Sequence, residues 1–477
     1  MTDLLVCSHR GPVSHRSTPA GVQQQATGPG GLVPVMLPAL RRIGGTWICA
    51  PSTDEDRAMA SRDLRTSHDG VPLRFVALPP DLHREHYETV TNGFLARIFH
   101  YLFALSHAPT FNSTFLRAWN SYRTVNDLYA TAIRAHGDAD AILVEDMHLM
   151  LVAAALARTP GRRDAPLLYF HHVPWCSPDY FGVLPADVRE EILRGLLTYD
   201  SVAFHCRRWA DSFGACCERF VDGAEYRDGR VRLERRSVPI LSAPAALDVA
   251  AVEELAAQAT TAAWRDRFEE ERAGRLVLVR VDRADLWKNV LRGFDAYAAL
   301  LERRPELRER IWFLAVLSPT RMWIPEYRDY LAACERAARE INDRFAPDGA
   351  ARNVVTVHLP DEDAGGDRAR AVAAMTIADA VLVNPLFDGL NMVAKEAVVA
   401  GKADAVLILS ENAGAHEELG RHALSVNPFD IDDCVTALER AFDMRPDERT
   451  ARAAALRRIV AARDPHDWLA RRLDGWL

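Results

Sequence analysis

The sequence lacks the features of a membrane-bound or secreted protein. No segment contains the roughly twenty consecutive apolar residues that a membrane-spanning helix requires. The N-terminus, MTDLLVCSHRGP, has no basic segment followed by a long apolar core, so we expect no secretory signal. We therefore predict a cytoplasmic protein with no membrane partner.

Cysteines with the spacing of a metal site are also lacking. The eight cysteines are scattered, with no C-x-x-C pair and no histidine partner at zinc-binding spacing. This pattern is typical of reduced thiols in a cytoplasm. The acidic segments 138–140 (DAD) and 361–363 (DED) look like metal motifs. We interpret both as surface loops and predict no metal.

The chain has no excess of positive charge. Its formal net charge is −8, from 58 Lys and Arg against 66 Asp and Glu. Because nucleic acids require a basic surface, we expect no nucleic-acid partner. The content of 49% hydrophobic and 26% charged residues is ordinary for a globular protein. A length of 477 residues exceeds what one core accommodates, which predicts at least two domains.

Short apolar runs alternate with helical patterns in both halves of the chain. The runs predict strands at 4–7, 141–144, 167–170 and 201–204, and then at 276–281, 311–316, 354–358, 380–383 and 405–409. Helical patterns lie between them, for example at 149–157, 187–197, 290–302 and 326–345. Such alternation predicts an α/β fold, with parallel sheets covered by helices on both faces.

The proline-containing segment around residue 240 separates the two halves. We predict an N-terminal domain at 1–240 and a C-terminal domain at 241–455. A C-terminal helix at 456–477 is expected to cross back to the N-terminal domain. Because ligands of α/β sheets bind at the carboxyl ends of strands, we expect the site in a cleft between the domains.

The segment 378–399, ADAVLVNPLFDGLNMVAKEAVV, is the most informative motif. A predicted strand leads through Asp388 and Gly389 into a helix that carries Glu396. A glycine loop before a helix start directs backbone N–H groups toward phosphate or sugar oxygens. The two carboxylates are suited to hold the hydroxyls of an activated sugar. The alternative is an ordinary strand-to-helix turn of an α/β domain.

Other polar groups follow predicted strands in the same way. They are Ser8-His9-Arg10 with the glycine-rich segment 28–32, Asp146 with its neighbours, His171-His172, and the segment from Arg283 to Asn289. Arg283 and Lys288 would span a turn into a helix, where two cations offset the charge of a leaving diphosphate. Each histidine, taken singly, is also explained as a satisfied polar group at a strand end.

Taken in order, these motifs resemble the trehalose-6-phosphate synthase family of retaining glycosyltransferases. The first half carries Ser8-His9-Arg10 for the family's S-N-R, Gly30-Gly31-Leu32 for G-G-L, 145–149 (EDMHL) for H-D-Y-H-L, and 172–175 (HVPW) for H-I-P-F. The second half carries 283–289 for R-L-D-Y-x-K-G and 388–396 (DGLNMVAKE) for D-G-M-N-L-V-A-K-E. The resemblance covers nearly the whole chain. It implies a GT-B type fold, in which two Rossmann-like domains have parallel sheets facing a central cleft. The N-terminal domain at 1–240 would bind the acceptor, and the C-terminal domain at 241–455 would bind the nucleotide sugar.

The resemblance also implies roles for individual residues. The donor would be bound by Gly30, Gly31, Asp388, Gly389, Asn391, Met392, Val393 and Glu396. Among these, Glu396 would take the nucleotide ribose and Asp388 the donor sugar. The catalytic residues would be Arg283 and Lys288 at the diphosphate, His172 at the donor sugar and Asp146 at the acceptor sugar. The acceptor phosphate would be held by Arg10, Tyr87 and Arg321.

The implied reaction moves a sugar, with retention, from a UDP- or GDP-activated donor to a small polar, phosphorylated acceptor. The departing phosphate oxygen would accept the acceptor's proton on the same face, so no nucleophilic carboxylate pair is required. The resemblance implies no cofactor and no metal, since Arg283 and Lys288 supply positive charge. Homo-oligomer formation stays open.

Several positions depart from the family pattern. Asn289 replaces the glycine after the lysine, Glu145 replaces the first His of H-D-Y-H, Ala96 replaces a tryptophan beside the acceptor phosphate, and 239–242 (PILS) replaces P-I-G-I. These features resemble a divergent antibiotic-pathway branch, which includes the pseudo-glycosyltransferase that joins a GDP-activated cyclitol to an amine. Transfer to a thiol is a similar option.

The alternative of another class is a non-catalytic protein that senses sugar phosphates. Arg283, Lys288, Asp388 and Glu396 are all present, and such a protein has no physical need for them.

Overall fold

The chain forms two compact units in the computed structural model, which describes residues 3–19, 21–26, 31–158, 165–346, 353–360 and 367–476. The first unit comprises Met1–Ala245 and Pro465–Leu477, and the second comprises Ala246–Asp464. The boundaries differ from those predicted after residues 240 and 455, because these positions fall inside a strand (Arg236–Ser242) and a helix (Pro446–Ala461). The chain leaves each unit only where such an element has ended.

The described part of the first unit contains twelve strands. They are β1 (Leu4–Ser8), β2 (Val13–Thr18), β3 (Gly21–Ala26), β4 (Gly45–Cys49), β5 (Thr66–His68), β6 (Val71–Phe75), β7 (Ala141–Glu145), β8 (Leu167–His171), β9 (Ser201–Phe204), β10 (Glu225–Arg227), β11 (Arg230–Leu233) and β12 (Arg236–Ser242). Ten form one sheet, in the order β10-β11-β12-β9-β8-β7-β1-β4-β6-β5, and β2 and β3 form a separate hairpin. The sheet is parallel from β12 to β6, and β5, β10 and β11 add antiparallel edges.

Helices precede or follow most of these strands. The described helices are α1 (Val33–Ile43), α2 (Asp54–Ser61), α3 (Pro80–Arg84), α4 (Ala96–Phe99), α5 (Ser113–His136), α6 (Val152–Arg158), α7 (Pro178–Phe181), α8 (Ala186–Leu196) and α9 (Arg207–Phe220). A π-helix, Glu85–Leu95, joins α3 to α4. The central strands β1, β7 and β8 are buried along their whole length and mostly apolar, as expected for parallel strands covered on both faces.

The second unit has a smaller sheet that is parallel throughout its described strands. These are β13 (Leu276–Arg283), β14 (Ile311–Ser318), β15 (Val355–His358), β16 (Ala380–Val383), β17 (Val406–Ser410) and β18 (Leu424–Val426). Their order, β15-β14-β13-β16-β17-β18, is that of a Rossmann-type sheet. In the core of this unit, Phe294 and Tyr297 from the helix at Val290–Arg303 pack against Phe313 in β14.

Helices of the second unit lie between its strands. They are α10 (Val249–Ala257), α11 (Ala259–Arg272), α12 (Val290–Arg303), α13 (Pro325–Phe345), α14 (Asp367–Ile377), α15 (Met392–Ala400), α16 (His416–Leu419), α17 (Ile431–Asp443) and α18 (Pro446–Ala461), with 3₁₀ turns at Leu286–Lys288 and Pro305–Leu307. After α18 the chain returns to the first unit as α19 (Pro465–Leu473). In α19, the Trp468 indole donates to Ala243 O at 2.9 Å.

The predicted α/β class is confirmed, and the predicted strands lie within a residue or two of the observed ones. The polar hairpin β2–β3, the edge strands β5, β10 and β11, and the strands β4, β6, β12 and β18 were not predicted from the sequence. The hairpin and the edge strands have little apolar alternation. Among the described helices, none is both long and apolar enough to cross a membrane. All eight cysteines are buried free thiols.

Candidate active-site residues

The candidate site residues follow the central strands of each sheet, where the order in which strands are added reverses. In the first unit the chain builds outward from β1 on one side and from β7 on the other. In the second unit the same change occurs between β13 and β16. Ligands of such sheets bind outside the carboxyl ends of the strands at this switch point. Arg10 and Asp146 follow β1 and β7, and Lys288 and Asp388 follow β13 and β16.

Lys288 is buried among carboxylates in the second unit. Its Nζ donates to Asp388 Oδ2 at 2.7 Å and lies 3.8 Å from Asp282 Oδ1. Burial lowers the pKa of Lys288, but the two carboxylates outweigh burial and raise it above its ordinary value. Asn391 Nδ2 donates to the same Asp388 oxygen at 3.1 Å. Lys288 is therefore a fixed cation, and Asp388 is oriented from two sides.

Arg283 and Arg321 share one buried carboxylate, Asp285. Arg283 Nη2 lies 2.8 Å from Asp285 Oδ2, and Arg321 Nη1 donates to Oδ1. Burial works to raise the pKa of Asp285, but the two guanidinium groups outweigh it and hold the pKa below its ordinary value. Arg321 also lies over the rings of Trp287 and Tyr327, at 5.1 and 5.5 Å. Arg321 thus belongs to the second unit, beside Arg283, whereas Arg10 belongs to the first.

Asn289, which replaces the family's glycine, adopts a left-handed backbone with φ 60° and ψ 40°. Glycine adopts this conformation without strain, and asparagine tolerates it better than most other residues. Its side chain donates to Asn384 O at 3.0 Å and Pro428 O at 2.8 Å. Asn289 therefore keeps the turn from Lys288 into α12 that a glycine would allow.

The loop from Asp388 to Asn391 is held against a neighbouring turn. Gly414 N donates to Asp388 O at 3.0 Å, and a Cβ at Gly414 would lie 1.9 Å from Gly389 O. Asn391 is left-handed (φ 76°) and caps α15, with its Oδ1 accepting from Ala394 N at 3.3 Å. The predicted glycine loop is therefore confirmed as a tightly packed turn before a helix.

Met392 and Val393 form the first turn of α15, where backbone N–H groups have no acceptor within the helix. Glu396 lies one turn further along, with Arg368 Nη2 at 3.7 Å from Oε1. Burial raises the pKa of Glu396, and Arg368 opposes this effect. The predicted donor-binding residues of this motif thus share one loop and the start of one helix.

In the first unit, the residue before Arg10 lies in a stack of rings. The His9 ring stacks on Tyr87 and His148 at centroid distances of 4.4 and 4.7 Å, each at 9°. His83 Nε2 lies 3.2 Å from His9 Nε2. Burial first, and then the neighbouring histidines and Arg10, lower the pKa of His9 well below its ordinary value. His9 is therefore neutral near pH 7, and Arg10, the next residue, is exposed.

Tyr87 lies in the π-helix. Thr91 Oγ1 donates to His86 O, and Asn92 Nδ2 donates to Tyr87 O, both at 2.8 Å and both five residues back. These side-chain bonds satisfy carbonyls within the widened turns. Since π-helical turns are frequent at functional sites, this segment supports the assignment of Tyr87.

Asp146 follows β7 with a positive φ of 74°. Its backbone N–H donates to Phe170 O at 2.7 Å, and its Oδ1 accepts from the His172 backbone N–H at 3.2 Å. His148 Nδ1 lies 3.8 Å from Oδ2. Burial raises the pKa of Asp146. Asp146 therefore connects the ring stack to His172.

Both ring nitrogens of His172 have partners. Nε2 lies 2.7 Å from Glu145 Oε2, and Nδ1 lies 3.2 Å from His205 Nε2. Glu145 is fully buried and also accepts from Arg472 Nη2 at 2.9 Å. Burial works to raise the pKa of Glu145, but Arg472 and His172 outweigh it and lower the pKa.

Other predicted positions contribute less to these groups. Gly31 is exposed just before α1, and Gly30 lies outside the described residues, as does the acidic segment 361–363. Ala96 is fully buried in α4 and presents no side-chain wall.

The sequence reading missed Asp285, the histidines around His9, and Arg472. Asp285 lies between Arg283 and Lys288 in the sequence, and this position between two candidate cations could have identified it as their partner. Arg472 lies more than three hundred residues from Glu145, and nothing in the sequence connects the two.

Two Rossmann-type sheets with candidate residues at both switch points are typical of GT-B glycosyltransferases. The chain matches the family described as glycosyltransferase family 20 over residues 2–475. It is 33% identical over 492 aligned positions to the trehalose-6-phosphate synthase of Mycobacterium avium (strain 104), covering 99% of this chain and 95% of that protein. The chain belongs to glycosyltransferase family 20.

Solved structures agree with this assignment. A trehalose-6-phosphate structure from E. coli, bound with UDP-2-fluoro glucose, superposes with a TM-score of 0.84 at 26% identity, covering 100% of this chain and 99% of that one. A UDP-forming trehalose-phosphate synthase from Burkholderia xenovorans, in complex with glucose-6-phosphate, gives 0.84 at 25% identity, covering 99% and 100%. The predicted GT-B fold and the predicted retaining glycosyltransferase, similar to trehalose-6-phosphate synthases, are confirmed, and the non-catalytic alternative is not supported.

Proposed function

We propose that the chain transfers glucose from UDP-glucose to glucose-6-phosphate and forms trehalose-6-phosphate with retention of configuration. The proposal is supported by the relatives, which carry this activity in their names or hold a UDP-sugar or glucose-6-phosphate. The single observation that carries it is the group of oriented cations at the switch point of the second unit. Lys288 is fixed by Asp388, and Arg283 is fixed by Asp285.

The donor diphosphate is the group that these cations suit. Lys288 is kept protonated by its carboxylates, and Arg283 keeps about a third of its side chain exposed, at 34%. Fixed cations stabilise the negative charge that develops on a leaving diphosphate without reorganising during the reaction. Gly31, Met392 and Val393 would add backbone N–H groups, and Glu396 would bind the ribose.

The acceptor half of the proposal rests on Arg10, Tyr87 and Asp146. Arg10 is exposed beside the ring stack, so its charge is available for an anionic group. Asp146, whose carboxyl lies close to His148 and the His172 backbone, would face the acceptor sugar. The family resemblance also assigns Arg321, which lies above Trp287 in the second unit, to the acceptor phosphate.

In the proposed step, the bond from glucose C1 to the diphosphate oxygen breaks. A bond from C1 to the acceptor hydroxyl oxygen forms on the same face. The hydroxyl proton moves to the departing diphosphate oxygen, and UDP leaves. The residues described here orient both substrates and balance the developing charge, and the step needs no nucleophilic carboxylate.

A thermal-shift screen with UDP, GDP and ADP tests the donor base, because a ligand that binds only the native state raises the melting temperature. We expect UDP to raise it most. Product formation from UDP-glucose and glucose-6-phosphate, followed by proton NMR of the anomeric hydrogens, then tests the transfer. An inverted product would overturn the proposed same-face step.

The antibiotic-pathway alternative rests on Glu145 and Ala96, since Asn289 is explained by its left-handed backbone. A larger shift with GDP than with UDP, together with transfer to an amine, would favour that alternative.

We also propose that the reaction needs no metal, because the cationic side chains supply the charge that a divalent ion would otherwise provide. Addition of EDTA should leave turnover unchanged. Loss of activity that a divalent ion restores would contradict this part of the proposal alone.

A further inference from the structure

Glu145 connects the C-terminal helix to His172. Arg472 of α19 donates from Nη2 to Glu145 Oε1 at 2.9 Å, while His172 Nε2 contacts Oε2 at 2.7 Å. The Arg472 guanidinium also lies over the rings of Phe170 and Trp468, at 4.6 and 4.8 Å. Glu145 is therefore an ionised carboxylate held between a cation and an imidazole, and it acts as an acceptor on both sides.

The hydrogen bonds around His172 have a defined direction. The Ala245 backbone N–H donates to His205 Nδ1 at 3.4 Å, so His205 carries its proton on Nε2. His205 Nε2–H then donates to His172 Nδ1 at 3.2 Å, which leaves the His172 proton on Nε2. From there it is donated to Glu145. A backbone N–H can only donate and the Glu145 carboxylate can only accept. The hydrogen bonds therefore run in one direction, from Ala245 through His205 and His172 to Glu145.

Exposure differs along this hydrogen-bonded chain. The side chains of Glu145 and Arg472 are 0% and 2% exposed, and His205 is 5% exposed, whereas the His172 side chain is 15% exposed. A ligand can therefore touch His172, while the other members act through it.

We propose that Glu145, supported by Arg472, is a positioning residue that fixes the ring plane of His172 and its neutral, Nε2-protonated tautomer for the transfer reaction. The inference rests on the proposed function, together with the role at the donor sugar that the family resemblance implies for His172. Glu145 holds His172 through a hydrogen bond, and Arg472 keeps Glu145 ionised. The C-terminal helix thereby sets the geometry of a residue in the site. A merely structural ion pair would anchor α19 without influence on the His172 proton.

Two double variants separate these roles. Glu145→Gln with Arg472→Met removes both charges together, which avoids leaving one buried charge unpaired, and keeps an oxygen to accept from His172. Glu145→Leu with Arg472→Met removes that oxygen as well. Arg471→Met, at the exposed neighbour of Arg472, is the matched control.

Nitrogen-15 NMR of the histidine rings reads the tautomer directly. We expect the His172 proton on Nε2 in the wild type and in the Gln/Met variant, and an altered tautomer population in the Leu/Met variant. A wild-type proton on Nδ1, or identical His172 spectra in the two double variants, would overturn the proposal. This measurement needs no substrate, so it stands even where transfer to glucose-6-phosphate fails.

Kinetics test the consequence, using the donor that the thermal-shift screen identifies. We expect kcat/KM for the donor to be about tenfold lower in the Leu/Met variant than in the Gln/Met variant, because a misplaced contact residue costs rate. In a His172→Gln background the two double variants should be equal, since Glu145 acts through His172. Equal kcat/KM of the two double variants in the wild-type background, or the same tenfold gap without His172, would overturn the proposal.

Discussion

The residues that follow β13 and β16 in the second unit are mostly charged, whereas those that follow β1 and β7 in the first unit are mostly rings. Lys288 pairs with Asp388, and Asp285 pairs with Arg283; the first pair raises the pKa of Lys288 and the second lowers the pKa of Asp285. The buried His9 ring stacks on the half-buried His148 ring, and burial lowers the pKa of His9. The two sheets share one topological feature, so the backbone alone does not explain this contrast.

The contrast follows from what each proposed ligand requires. A leaving diphosphate gains charge during the reaction, so oriented cations stabilise its transition state. An acceptor sugar gains little charge, so its site does not need a comparable set of ion pairs. Mutations of the charged residues in the second unit should therefore lower the reaction rate. Mutations in the first unit should instead change the pH dependence of stability or the binding of the acceptor.

Removing a cation of the second unit should have the largest effect. Lys288→Ala and Arg283→Ala should each lower kcat at least a hundredfold, since one such contact contributes about 3 kcal/mol to transition-state stabilisation. Turnover and circular dichroism are measured together, with the exposed Arg339→Ala as the control. Near-normal turnover in both variants would remove the cationic pair from the mechanism.

Acid should destabilise the first unit through its buried histidines. Burial lowers the pKa of His86 to about 4, from 6.5 when unfolded. The unfolded state therefore binds more protons between pH 6.5 and 4. The contribution of neutral His86 to the free energy of unfolding is complete above pH 6.5 and is lost as pH falls through this window. The shift corresponds to about 3 kcal/mol.

Urea unfolding across this pH range measures the effect. His86→Phe should flatten the decline below pH 6.5, whereas His107→Gln, at an exposed histidine, should leave it unchanged. An unchanged slope in His86→Phe would show that other groups cause the acid sensitivity.

Asn289 offers a smaller effect on stability. Asn289→Ala should lower the free energy of unfolding by roughly 1–2 kcal/mol from the left-handed backbone alone, and it also loses the two side-chain hydrogen bonds. Asn289→Gly loses the same bonds but adopts the backbone freely, so it should be the less destabilised variant in urea unfolding. The reverse order would contradict the explanation of this departure from the family.

The acceptor phosphate should give the smallest change. Arg10→Ala should raise KM for the phosphorylated acceptor about tenfold, the loss expected for one charge-assisted hydrogen bond, and should barely affect the dephosphorylated sugar. Arg321→Ala should do the same, and the exposed Arg62→Ala is the control. Equal efficiency with both acceptors, and no effect of Arg321→Ala, would show that the site accepts another substrate.

The strands, the glycine loop at Gly389 and the cations at Arg283 and Lys288 could be predicted from the sequence. Each is a local pattern: apolar runs predict buried strands, and residues close in sequence after a strand must lie at its carboxyl end. The order of the motifs was sufficient to indicate the family before any geometry was known.

Only the tertiary structure decided which side chains meet. The shared carboxylate of Asp285 places Arg321 beside Arg283, and the return of the chain as α19 brings Arg472 to Glu145. Similarly, the ring stack around His9 brings together residues from the loops after β1 and β7 and from the π-helix. Such contacts join residues far apart in the sequence, and the protonation of a buried group depends on all its neighbours at once. Local sequence patterns carry no information about long-range contacts or about the protonation of buried groups. The charge and tautomer of the site residues are therefore properties of the folded chain.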